Sequence, residues 1–139
     1  MSKLPFLLLF IPLVNTCNQA SQQQAQKCPE KACTMMFASI PVKFVDNNGQ
    51  PAAVKNYKAV NLRTKEDITH QDNSNTTGSF FAVADDSDLK KLTEAGDDIE
   101  VTATDSASNK QVSGIIKVSG GVCACHVARI SGPEEIKVN

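Results

Sequence analysis

The chain reads as all-β, a single antiparallel sandwich of about seven strands with one short helix in a crossover. Three observations predict it. Short β-prone runs recur along the chain, several alternating apolar and polar with the period of two that marks a half-buried strand. Turn clusters of Asn, Asp, Ser and Gly separate them at short intervals. Helical spacing of apolar residues occurs in one segment only. Length agrees, because 139 residues with 41% hydrophobic content supply one core of ordinary size.

The first run, "TMMFASIPVKFV", places Met36, Ala38, Ile40, Val42 and Phe44 on one face. Pro41 has no N–H to give to a ladder, so this strand belongs at an edge or carries a bulge. "DNNGQP" at 46–51 is a strong turn, "YKAVNLR" around Val60 and Leu62 is the next strand, and "TKED" turns again. The polar loop "HQDNSNTTG" leads to the apolar strand "SFFAVA", and its His70 is expected in solvent.

In "DDSDLKKLTEAGDD", residues 85–98, Asp86 or Ser87 caps a helix of about two turns. Leu89 and Leu92 lie on one face of it, and Gly96 ends it in the left-handed conformation. So short a helix must dock through its leucines. "DIEVTATD" resumes the alternation, "SASNK" turns, and "QVSGIIKVSG", "VCACHVARI" and "IKV" complete the strands.

The start of the chain has another character. In "MSKLPFLLLFIPLVNTC" a lysine precedes an apolar run from Leu4 to Val14, broken by Pro5 and Pro12, and polar residues then lead to Cys17. That is the layout of an export signal, and the run falls well short of the roughly 20 residues that span a bilayer. Leu13-Val14-Asn15-Thr16-Cys17 resembles the lipobox of bacterial lipoproteins, although Thr16 stands where that family has Gly, Ala or Ser. The resemblance implies that residues 1–16 are cleaved, that Cys17 is lipidated, and that the membrane is a partner through it. Residues 17–27 then form a flexible Gln- and Ser-rich tether, about 35 Å long when fully extended, ahead of a domain over 28–139. The alternative is that Cys17 leaves with the signal.

The five cysteines are an awkward number for an oxidising compartment. With Cys17 lipidated or removed, Cys28, Cys33, Cys123 and Cys125 remain, and in an exported chain these are expected as two disulfides. The stretch "GGVCACHVARISGP" invites other readings. Covalent haem needs two residues between its cysteines, and only Ala124 separates Cys123 from Cys125. A thiolate and imidazole metal site using His126 would need a bulge, because a strand turns residue 126 away from 123 and 125.

Cys123 and Cys125 on one strand face would stand about 6.5 to 7 Å apart, too far for a local bridge. Each must then pair with Cys28 or Cys33, and if the two segments run antiparallel the pairs are Cys33–Cys123 and Cys28–Cys125. His126 is left as a half-buried, hydrogen-bonded imidazole on a strand.

No catalytic fingerprint is present, and the expectation is a non-enzyme that takes no cofactor. A net charge of −1 provides no basic field for nucleic acid. The absence of Trp and the lone Tyr57 give little for stacking on sugars. Asp85, Asp86, Asp88, Asp97 and Asp98 could hold calcium, but such a cluster is more often a solvated surface with a helix cap.

The order "VKFVDNNGQPAAVKNYKAVNL" then "TGSFFAV" resembles carboxypeptidase regulatory-like and transthyretin-like modules of immunoglobulin-like type, over about Met35 to Val118. Such modules are accessory or structural domains of exported proteins. The expectation is therefore an exported, lipid-anchored cell-envelope protein with a non-catalytic binding or structural role. The rival is an envelope metal-binding protein using the Cys/His set or the acidic loops.

Overall fold

The computed structural model describes residues 27–70 and 80–138. The signal-like segment, Cys17, the tether up to residue 26 and most of the polar loop lie outside the described residues. Among the described residues seven strands form two sheets. One contains β1 (Ser39–Val45), β3 (Phe80–Asp85) and β7 (Glu135–Lys137), in the order β3-β1-β7. The other contains β2 (Val54–Asn61), β4 (Asp97–Asp105), β5 (Gln111–Ser119) and β6 (Ala128–Ser131), in the order β2-β4-β5-β6. The pairings are antiparallel except that of β1 with the C-terminal β7, which is parallel. The expected sandwich is what forms.

The core follows from the alternation. β1 turns Ile40, Val42 and Phe44 inward, and β4 supplies Ile99, Val101 and Ala103 from the facing sheet. β5 adds Ile116 and Val118, and β7 closes with Ile136. Phe44, Tyr57 and Phe81 pack as a trio spanning both sheets, with ring centroids 4.7 to 6.1 Å apart. The Tyr57 hydroxyl donates to the Ala82 carbonyl at 2.9 Å, so β2 is hydrogen-bonded across the sandwich to β3. Burial pushes the Tyr57 hydroxyl well above its ordinary pKa, which keeps it a donor throughout.

Pro41 lies in the central strand of its sheet, and the bulge that its missing donor calls for is there, as a register shift between Ile40 and Pro41. β7 pairs with β1 only from Lys43 to Val45, beyond the proline. The strand starts at Ser39, later than the apolar alternation suggests, and Met36 leaves the buried face at 76% exposure.

The turn at 46–50 closes on Asp46, whose carboxylate accepts from the Asn48 and Gln50 amides. Asn56, in the left-handed region at φ 55, marks a second bulge, where β2 slips against β4 between Lys55 and Lys58.

Two local expectations are corrected. The helix is a 3-10 helix over Asp86–Lys91, and its cap is Asp85, whose side chain accepts from Ser87 while Asp88 reaches back to the Asp85 amide. Leu92 is buried as its anchor, whereas Gly96 takes its positive φ of 87° in the turn that enters β4. The strand expected over 122–130 shrinks to Ala128–Ser131, because residues 121–127 form a turn that crosses the end of the sandwich.

Two glycines allow close approaches to β5. A Cβ on Gly114 would lie 2.7 Å from Ile136 Cδ1, so this gap in β5 is the seat of β7. Gly132, at φ +104, turns β6 into β7 with backbone so near that a Cβ would meet the Ile115 carbonyl oxygen at 2.6 Å. Gly132→Ala combines a disfavoured conformation with a backbone collision and is expected to cost about 2 kcal/mol or more. Gly114→Val overpacks the same region by about 1 to 3 kcal/mol. Tyr57→Phe, which only removes the inter-sheet bond, costs about 1 kcal/mol. Urea unfolding measures all three, and an unchanged midpoint for Gly132→Ala would contradict this packing.

Candidate functional site

The chemistry-bearing side chains gather at one pole of the sandwich, where β1 begins, β3 ends, and the 3-10 helix and the 121–127 turn meet. Residues 27–38 run along this pole as an arm outside both sheets. Cys28 is bridged to Cys123, and Cys33 to Cys125, with Cα separations of 5.2 and 5.3 Å. Both cysteines of the Cys-Ala-Cys motif therefore reach the arm, as expected. Their partners are the reverse of those reasoned for antiparallel strands. Neither segment is a strand here, and the arm and the turn pass each other in the same sense, so the first cysteine of one meets the first of the other.

Asp86 is the polar hub between these pieces. Its carboxylate accepts the amide of Ala38 at 2.8 Å, the amide of Val127 at 2.9 Å and His126 Nδ1 at 2.7 Å. The Asp86 amide in turn donates to the Ala38 carbonyl. Burial is the largest influence on this carboxyl and pushes its pKa up, but the three donors together outweigh it and hold the group below the usual carboxylate value. His126 Nε2 lies 2.7 Å from Thr34 Oγ1. His126 is thus the half-buried, hydrogen-bonded imidazole the sequence led one to expect, although on a turn and not a strand.

Hydroxyl, imidazole and carboxylate in that order is the arrangement of a nucleophilic triad. Here Asp86 also carries two backbone amides, which makes the chain Thr34–His126–Asp86 a fastening between arm, turn and helix.

A second group surrounds His70, which is half-buried and not in solvent as expected. Its Nε2 lies 2.7 Å from Asp88 Oδ2 and its Nδ1 3.2 Å from Asp85 Oδ2. Asp88 is 1% exposed and also faces Lys91 at 3.5 Å, while Lys91 reaches Glu66 at 3.2 Å. One ligand atom from each of His70, Asp85 and Asp88 lies within 4.8 Å of the others, a nitrogen and oxygen set that zinc or manganese accepts. The two carboxylates address opposite nitrogens of one ring, however, and an ion on Nε2 would meet Asp88 with Asp85 behind the imidazole. As it stands, the cluster ties residue 70 to the 3-10 helix through the contacts of its ring with Asp85 and Asp88.

The third group was not legible as a site. Asp97, 4% exposed, accepts Arg63 Nε and Nη2 at 2.8 Å each, Asn61 Nδ2 at 3.0 Å and Thr93 Oγ1 at 2.9 Å. Arg63 also donates to the Lys91 carbonyl, and the buried Asn61 accepts the Arg63 amide at 2.9 Å. The arginine bonds first, then those from Asn61 and Thr93, hold the Asp97 carboxyl far below its ordinary value. One signal was available. Asp97 shares the inward parity of Ile99, Val101 and Ala103 in β4, whose burial alternates along its length. Asp97 is therefore a buried structural carboxylate, not the solvated acid expected, while Asp98 is exposed.

No known protein family, curated protein or solved structure matches the chain. Fold and site alone define its class: a disulfide-bonded β-sandwich, whose two bridges point to an oxidising, extracytoplasmic environment. Among the described residues no helix is long and apolar enough to cross a membrane.

Both Asp86 and Asp97 titrate below the ordinary carboxylate value. The stability they contribute is complete above about pH 4, where the same groups are ionised in the unfolded chain, and is lost as pH falls through their lower folded values. The thermal midpoint is expected to drop below about pH 4. Asp97→Asn is expected to cost about 2 kcal/mol at neutral pH and to flatten that acid dependence. An Asp97→Asn protein with the parent's acid profile would contradict the assignment.

Proposed function

We propose that this is an exported, lipid-anchored protein of the cell envelope, a non-catalytic accessory module held to a membrane through Cys17. The observation that carries the reading is the double cystine staple. The arm that follows the tether is joined to the sandwich by two bridges closing separations of 95 and 92 residues. A pull on the tether therefore passes into the domain through covalent bonds. In the chain-entropy model a loop of about that size contributes about 4 to 5 kcal/mol for one bridge, and less for the second.

The lipobox-like Leu13–Cys17 supports the anchor, and the motif order from Met35 to Val118 supports a carboxypeptidase regulatory-like or transthyretin-like accessory sandwich. Bridging removes all four domain thiolates from the rival metal-binding reading, which among the described residues keeps the His70, Asp85 and Asp88 cluster.

Cys17→Ser is expected to abolish labelling by radioactive fatty acid and to move the protein from the membrane to the soluble fraction, or to leave the precursor uncut. Membrane retention with unchanged processing would overturn the anchor. The dialysed mature protein is expected to hold no stoichiometric zinc, manganese or calcium, and retention of one would favour the rival. Hydrolysis of a nitrophenyl ester that disappears in Thr34→Val would overturn the non-catalytic role.

A further inference from the structure

Met35, Met36 and Phe37 are 104%, 76% and 68% exposed, three consecutive large apolar residues facing solvent. Their neighbours explain why they do not collapse onto the core. On one side Cys33 is bridged to Cys125 and Thr34 is bonded to His126. On the other, the Ala38 amide and carbonyl are both engaged by Asp86. Residues 35–37 are thus a short span between two fixed points, displayed as a built apolar ridge. Val122, 53% exposed beside Cys123, adds another apolar side chain at this pole. Contiguous exposed apolar surface of this kind marks a contact with another phase or molecule.

We infer that the Met35–Phe37 ridge is a second membrane contact, dipping into the lipid surface to which the anchored chain is tethered. This deepens, and rests on, the proposed anchoring. The length and exit point of the preceding chain identify the occupant. The ten residues between Cys17 and Cys28 span at most about 35 Å, and Cys28 is pinned to Cys123, so the tether leaves the sandwich at the pole that carries the ridge. A lipid on Cys17 therefore turns this pole toward the bilayer.

On the arm itself, exposed Lys27 and Lys31 stand against the one acid Glu30, with Glu94 the acid facing Lys31 from the sandwich. Cations flanking exposed Met and Phe are what an anionic lipid interface attracts and an apolar layer holds. A protein contact beside the lipid anchor fixes the orientation of the domain at the surface.

The chain has no tryptophan, so Phe37→Trp introduces a sole reporter, with Asn48→Trp in the turn at the far end of β1 as its control. The mature exported proteins are placed in phosphatidylethanolamine and phosphatidylglycerol vesicles carrying brominated acyl chains. Emission of the Phe37→Trp protein is expected to shift to the blue and be quenched, while that of the Asn48→Trp protein stays water-like. Replacing Met35, Met36 and Phe37 together by Ser is expected to lower vesicle partition of the unlipidated protein by about tenfold or more.

Water-like, unquenched emission from the Phe37→Trp protein overturns the inference, as does equal quenching of both variants. A blue shift of the ridge reporter without vesicles, together with dimer formation, overturns it in favour of a second copy. The mass of the N-terminal peptide reports lipid on Cys17 separately. If the lipid is missing, anchoring fails, and quenching of the ridge reporter by added vesicles still decides the ridge.

Discussion

Residues 27–38 pair with no strand, so their attachment to the sandwich depends on two covalent links and a few polar bonds. The cystines set where the arm lies, and the rest of the pole follows. With Cys33 held at Cys125, Thr34 reaches His126, His126 reaches Asp86, and Asp86 closes on Ala38 where β1 begins. A chain held only by exposed hydrogen bonds would fray there, since each is worth about 1 kcal/mol net. Two loop closures of some ninety residues each are a constraint of another order.

The same pole gathers Asp86, Asp88 and Asp97, each of them matched, while the buried Asp105 sits at the other end of β4. Asp97 receives four donor contacts, Asp86 three, and Asp88 faces His70 and Lys91. Among the described residues no buried side-chain nitrogen or oxygen lacks a partner. Low-dielectric surroundings make an unmatched carboxylate expensive and a matched one a geometric clamp. These clamps hold the 3-10 helix and the neighbouring turns, segments with too few apolar side chains to be held by packing alone.

The cystine partners show where reading along the chain stops. That Cys123 and Cys125 each need a distant partner was legible from spacing. Which partner each takes depends on whether Val122 to Val127 is strand or turn. Here Asp86 collects the Val127 amide and the Gly121 amide goes to Leu89, so the segment bends across the pole and the expected pairing reverses. His70 is a similar case. A polar loop predicts solvent, and only the fold reveals that the cap of a helix fifteen residues later supplies two carboxylates to its ring.

By itself the sequence determined the sandwich, the strands that supply its core, the turns at Asp46 and Ser106, that Pro41 needs either a bulge or a sheet edge, and the need for two long-range bridges. These rest on period-two burial, local turn chemistry and the missing proline donor, all of which act within a few residues. Tertiary structure alone decided the cystine partners, the burial of Asp88 and Asp97, the hub at Asp86 and the exposure of Met35 to Phe37. Each of those depends on residues tens of positions apart meeting at one pole, and alternation along a single strand carries no record of what arrives from elsewhere.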